Sequence, residues 1–153
     1  MKPFPHYYTA SLTGGPVAYA ELTAGGVPVL RTAPPRQFDG PGDAWSPEEL
    51  LLAAVESCFL FTLRAVARAS KLEFLNLDLE AEGTVEREDR VTRFTEIILR
   101  AVLTVPAGTD RARAFAALEK TKSACLVSAS ISTPIRLVAD VRTAEQPALP
   151  VAS

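Results

Sequence analysis

The sequence predicts an α+β fold, with an antiparallel sheet and two central helices. Three observations carry that prediction. Short β-prone runs at the N-terminus are separated by glycines, a long apolar helix opens at Ser46, and from Phe74 the hydrophobic pattern changes to period two. Strands that come in groups, rather than strictly alternating with helices, argue against a doubly wound nucleotide-binding sheet. A length of 153 residues fits one domain.

The elements follow in chain order. Tyr7–Leu12, Val17–Leu22 and Val27–Thr32 read as a three-stranded meander, turned at Gly14-Gly15-Pro16 and Gly25-Gly26. Ala33–Trp45 is crowded with Pro and Gly and reads as a loop, so residues 1–45 form a meander and its connection. A connection of that length inside a compact domain is often functional. Ser46-Pro47-Glu48-Glu49 opens a helix over residues 46–70. Ser46 can serve as N-cap, Pro47 suits the first turn, and Glu49 completes a capping box. Leu50–Leu63 is apolar nearly all round, which predicts neighbours on most sides or a second subunit over one face.

Leu75, Leu77, Leu79 and Ala81 alternate with Asn76, Asp78, Glu80 and Glu82, as in a half-buried strand. Glu86–Val91 reads as a charged turn and Arg93–Val105 as the returning strand, which makes residues 74–105 a β-hairpin. Pro106-Ala107-Gly108 ends it. A second helix over 109–125 is capped by Thr109 or Asp110, with Lys120 and Lys122 near its negative end. A polar connector leads to a last strand over 134–142, and 143–153 reads as a tail.

Composition excludes several classes of function. Sixteen basic against eighteen acidic residues leave a net charge of −2, which offers no footprint for nucleic acid. Met1–Tyr8 has no apolar core of the secretory kind. Leu50–Val66 is interrupted by Glu56 and Arg64 and falls short of the roughly 20 residues of a spanning helix. The expectation is a cytoplasmic protein without membrane or nucleic-acid partners. Two cysteines and one histidine, without C-x-x-C or H-x-x-x-H spacing, predict no metal site.

Cys58 lies midway along the first helix and Cys125 ends the second. They read either as small core residues or as a redox pair, in which one thiolate attacks an oxidant and the other resolves the sulfenic acid. A static disulfide is disfavoured in a reducing compartment. The surrounding motif is more specific. Ser46-Pro47-Glu48-Glu49-Leu50, then Ala53-Ala54, then Cys58-Phe59, followed 67 residues later by Cys125 in a K-S-A-C-L-V-S run, resembles the OsmC/Ohr family. These are the osmotically inducible and organic-hydroperoxide-resistance proteins. The resemblance covers about Ala18 to Val141.

The resemblance implies an OsmC-like fold in an intertwined homodimer, with sites at the subunit interface. It makes Cys58 the peroxidatic and Cys125 the resolving cysteine, with Glu48 paired to an arginine that lowers the thiol pKa and orients the peroxide. The implied substrate is an organic hydroperoxide, the implied reductant a dithiol of lipoyl or thioredoxin type, and no cofactor is implied. Met1–Leu30 contains no arginine, so Arg36 in the loop is the candidate partner, with Arg31 a further possibility. Leu126 stands where many relatives have proline, and Glu56-Ser57 where they have small residues. These departures keep a second reading open: a non-enzymatic dimer of this fold that binds an apolar small molecule or senses oxidants.

Overall fold

The structure is a computed structural model that describes residues 3–144. The chain divides into two compact units, Met1–Leu51 and Leu52–Ser153. The expected tail lies almost wholly outside the described residues.

In the first unit, β1 (Ser11–Gly14), β2 (Ala20–Thr23) and β3 (Leu30–Thr32) form an antiparallel sheet in that order. The strands are shorter than the β-prone runs. Leu12, Val17, Val27 and Val29 remain exposed, so this small sheet buries little of its own apolar surface. The loop after β3 is closed at its neck. The Thr32 hydroxyl and the Ala33 N–H both donate to the Trp45 carbonyl, at 2.6 and 3.0 Å. Inside the loop Arg36–Phe38 makes one 3₁₀ turn. Gly40 is obligatory there, because a Cβ would lie 1.6 Å from the Pro34 carbonyl oxygen. The Asp43 carboxylate accepts from the Tyr19 hydroxyl at 3.0 Å and pairs with Arg31 at 3.4 Å, fastening the loop to β3 and to the residue before β2.

Helix α1 (Pro47–Ser70) starts in the first unit and continues into the second. Its start is the capping box expected of Ser46 and Glu49. The Glu49 N–H donates to Ser46 Oγ at 3.2 Å, and the Ser46 N–H returns to Glu49 Oε2 at 2.9 Å. The helix has 24 residues, and its most apolar eighteen have a mean hydropathy of 1.8. By length and composition alone it is long and apolar enough to cross a bilayer, a test that a core helix passes as well. Within the second unit it is a core helix, with Val55, Phe59 and Leu63 fully buried at four-residue spacing.

The second unit holds β4 (Asn76–Glu88), β5 (Val91–Val105), α2 (Arg111–Ala124), the short α3 (Leu126–Ala129) and β6 (Ile135–Thr143). The β4–β5 turn is tighter than the expected charged run. Only Asp89 and Arg90 form it, both at positive φ (49° and 67°), the conformation of a two-residue hairpin turn that matches strand twist. β5 is central: Ile97, Leu99, Ala101, Leu103 and Val105 are all buried, at period two. The Asp110 carboxylate caps α2, accepting from the Ala112 N–H at 2.9 Å. One expectation needs correction. The α+β class holds, but the second sheet is mixed rather than antiparallel, because β6 pairs parallel to β5. The chain crosses back over α2 between the two strands, and such a crossover sets the second strand parallel to the first.

Candidate active site

Both cysteines lie in the second unit, and both are free thiols. Cys58 follows Val55 and precedes Phe59 on α1; those two side chains are buried in the core while Cys58 is half-buried beside them. Cys125 is fully buried at a joint in the chain. It is the C-cap of α2 and the N-cap of α3, with extended backbone angles (φ −68°, ψ 115°). The turn at Cys125 brings the next residues against α1, where the Val127 N–H donates to Cys58 Sγ at 3.5 Å. Thr62, one helical turn beyond Cys58, has its hydroxyl 3.9 Å from the same sulfur.

These contacts distinguish the two thiols. Burial pushes the Cys58 thiol up, but hydrogen bonds from the Val127 N–H, the Cys125 thiol, the Thr62 hydroxyl and the Leu126 N–H outweigh it, leaving Cys58 below the usual thiol value. Burial raises Cys125. The Ser128 hydroxyl and N–H oppose that rise, Cys58 adds to it, and the net direction is up. The two sulfurs are therefore neighbours, and the half-buried one is the more readily ionised. Val127 and Ser128 were not singled out from the sequence, and Leu126 stood out only as a departure from proline. The only local trace of them is the L-V-S run after Cys125, because a main-chain donor leaves no mark in residue type.

Glu48, Arg36 and Arg31 belong to the first unit. One Glu48 carboxylate oxygen, Oε2, is buried without a hydrogen-bond partner among the described residues. The residue lines an apolar cavity of about 360 Å³ with Leu12, Ala20, Ala33, Pro35 and Phe38. Arg36 lies across Gly42, where a Cβ would come within 2.1 Å of its Nε, and lines a smaller cavity of about 190 Å³ with Glu49. Arg31 is engaged by Asp43, and its guanidinium sits 4.2 Å over the Tyr19 ring. Among the described residues, no ion pair joins Arg31 or Arg36 to Glu48.

Glu56, two residues before Cys58, faces β4. Burial pushes its carboxyl up, the Ala81 N–H holds it back, and Glu80 adds to the rise. The folded chain thus keeps the Glu56 proton to higher pH than the unfolded chain. Stability attributable to this group is present below the ordinary value of 4.5 and declines as pH rises through the folded pKa. Glu56→Gln is expected to raise the melting temperature at pH 7 and to lose that advantage near pH 4, as read by thermal denaturation at both pH values.

Fold and site together define an α+β protein with a half-buried thiol and a fully buried thiol side by side. Comparison with known proteins carries this further. The sequence profile described as OsmC-like protein matches residues 40–139. The uncharacterized protein YmaD of Bacillus subtilis is 36% identical over 106 residues, covering 67% of this chain and 71% of YmaD. Among solved structures, an OsmC-like protein of unknown function from Vibrio cholerae superposes with a TM-score of 0.79. It is 14% identical, and the match spans 89% of this chain and 100% of that one. An organic hydroperoxide resistance protein, OsmC, from Legionella pneumophila gives a TM-score of 0.72 at 25% identity, over 92% of this chain and 99% of its own. The chain belongs to the OsmC-like protein family.

Proposed function

We propose that the chain is a thiol-dependent peroxidase that reduces organic hydroperoxides. The carrying observation is the unequal thiol pair, with Cys58 below and its buried neighbour Cys125 above the usual thiol value. A more acidic attacking thiol beside a less acidic resolving one suits such a cycle. The Cys58 thiolate attacks the terminal oxygen of R–O–O–H. The O–O bond breaks, the alkoxide takes a proton and leaves as alcohol, and Cys58 becomes a sulfenic acid. Cys125 then attacks that sulfur, its proton leaves with the hydroxyl as water, and a Cys58–Cys125 disulfide forms. A dithiol reductant returns both thiols and is itself oxidised to a disulfide. The name borne by the Legionella relative supports this reading.

Glu48 and Arg36 are proposed as the polar groups that meet the peroxide. In this reading Glu48 of one copy and Cys58 of another meet at an interface between two copies of the chain. The apolar surface of the single chain supports a homodimer as well: Phe61 is 60% exposed, and the β1–β3 sheet leaves Leu12, Val27 and Val29 uncovered. Light scattering during size-exclusion chromatography is expected to give twice the 16.4 kDa chain mass at micromolar concentration. The monomer mass would reject the dimer.

The deciding assay follows peroxide consumption with a dihydrolipoyl reductant, comparing cumene hydroperoxide with hydrogen peroxide. Faster loss of the organic peroxide is expected. No turnover with either would leave the second reading, a non-enzymatic dimer that binds an apolar molecule or senses oxidants. That reading is favoured by the unpartnered Glu48 oxygen in its apolar cavity. In the same assay Arg36→Ala is expected to slow turnover about 10- to 100-fold, the loss of one charge-assisted hydrogen bond. An unchanged rate would remove Arg36 from the site.

A further inference from the structure

We infer that Thr62 is a positioning residue for the attacking thiol, its hydroxyl donating to the Cys58 sulfur and favouring the thiolate. The inference rests on the reading of Cys58 as the attacking thiol and adds to it a side chain that serves the sulfur.

Thr62 follows Cys58 by one turn of α1, and a helical side chain leans back over the turn that precedes it. Its hydroxyl thus comes to 3.9 Å from Cys58 Sγ. Hydroxyls inside helices often bond the carbonyl four residues back. Ser70, Thr121 and Ser123 do so here, to Val66, Ala117 and Glu119. Thr62 departs from them: among the described residues, its hydroxyl has the Cys58 sulfur as partner. A second donor, the Val127 N–H, lies 3.5 Å from the same atom. A hydroxyl can accept from a thiol or donate to a thiolate, and S–H is a weak donor. The bond that forms on ionisation is charge-assisted and the stronger of the two, so a freely rotating hydroxyl biases the sulfur toward the anion. The lowered Cys58 thiol, with Thr62 among its causes, agrees with that sense. Of the groups that titrate, Cys125 faces Cys58 from the end of α2. On α1 itself, Glu56 is turned to β4, and the Arg64 guanidinium sits 5.2 Å over the Phe61 ring. The donors at the sulfur in this unit are therefore neutral groups, and Thr62 supplies one that a substitution can remove.

Thr62→Val tests this, because valine keeps the branched shape and loses the hydroxyl. Alkylation of Cys58 by iodoacetamide is followed against pH, with Cys125 replaced by serine throughout so that one thiol reacts. In Thr62→Val the midpoint is expected to move to higher pH, and the rate at pH 7 to fall about 3- to 10-fold. The plateau at high pH should be no lower than the parent's, since a less acidic thiol gives the stronger nucleophile. Thr62→Ala lacks the hydroxyl and the bulk, and should share the midpoint of Thr62→Val. It suits a helix and keeps the test available if Thr62→Val does not fold. Thr62→Ser keeps the hydroxyl and should restore the parent midpoint. Unmoved midpoints in Thr62→Val and Thr62→Ala overturn the inference, whether or not the plateau falls. So does a downward shift, which would make the hydroxyl an acceptor of the thiol proton. A shift that Thr62→Ser fails to rescue belongs to packing and overturns it too. If the midpoints behave as expected but wild-type protein consumes no peroxide, the peroxidase reading fails and the role of Thr62 stands. Peroxide turnover with unmoved midpoints overturns this inference alone.

Discussion

Cys58→Ser is expected to abolish hydroperoxide reduction, with a loss of more than about 10³-fold, because a hydroxyl at this position cannot supply the anionic nucleophile. Cys125→Ser should behave differently. Its Cys58 keeps the contacts from the Val127 N–H and the Thr62 hydroxyl. One equivalent of peroxide is consumed and the protein then stalls as a Cys58 sulfenic acid. Mass spectrometry of wild-type protein after a stoichiometric dose should show the loss of two hydrogen atoms within one chain. In Cys125→Ser it should show the gain of one oxygen, which dimedone traps. If Cys125→Ser turns over at the wild-type rate, resolution passes to another thiol. If Cys58→Ser retains activity, the roles given to the two cysteines are wrong.

Phe59→Ala is expected to have the largest effect on stability. Phe59 is fully buried between Val55 and Leu63 of α1 and belongs to the same core cluster as Leu99, Leu103 and Leu118. Truncating a ring in such a place removes its transfer energy and leaves a cavity, together about 3–5 kcal/mol. A domain of this size has about 5–15 kcal/mol to lose. Urea denaturation should show a much lower midpoint with an unchanged slope, and the melting temperature should fall by roughly 10 °C or more. A loss below about 1 kcal/mol would mean that Phe59 is not a core residue. The variant also bears on the site, because Phe59 adjoins Cys58 on the helix that aims the sulfur.

Features with a local cause were legible in the sequence. Ser46 and Glu49 mark the start of α1 because capping is decided within four residues, and β5 is legible because burial on one face writes a period of two into Ile97–Val105. The direction of β6 was not, since periodicity is the same for a parallel and an antiparallel partner. Helix α3 was missed because four residues are too few for a helical period. The two cysteines could be picked out by position, but the difference between their environments could not. It arises from main-chain amides and from depth, and neither depends on residue identity. Arg36 shows the same boundary. The sequence places it in a glycine-rich loop, whereas its resting place across Gly42 follows from backbone angles there (φ +71°).

Cys125 joins two helices, and its backbone is engaged on both sides, through the end of α2 and through the Ala129 N–H that its carbonyl accepts. A thiol held this way has little freedom to travel, and its neighbour is mounted on the core helix. In kinetic terms the second sulfur then stands at a high effective molarity toward the first. On the proposed cycle, the sulfenic acid meets a thiol before it meets another peroxide molecule. The consequence is resistance to hyperoxidation: the irreversible sulfinic state should accumulate only where peroxide outcompetes a partner already in place.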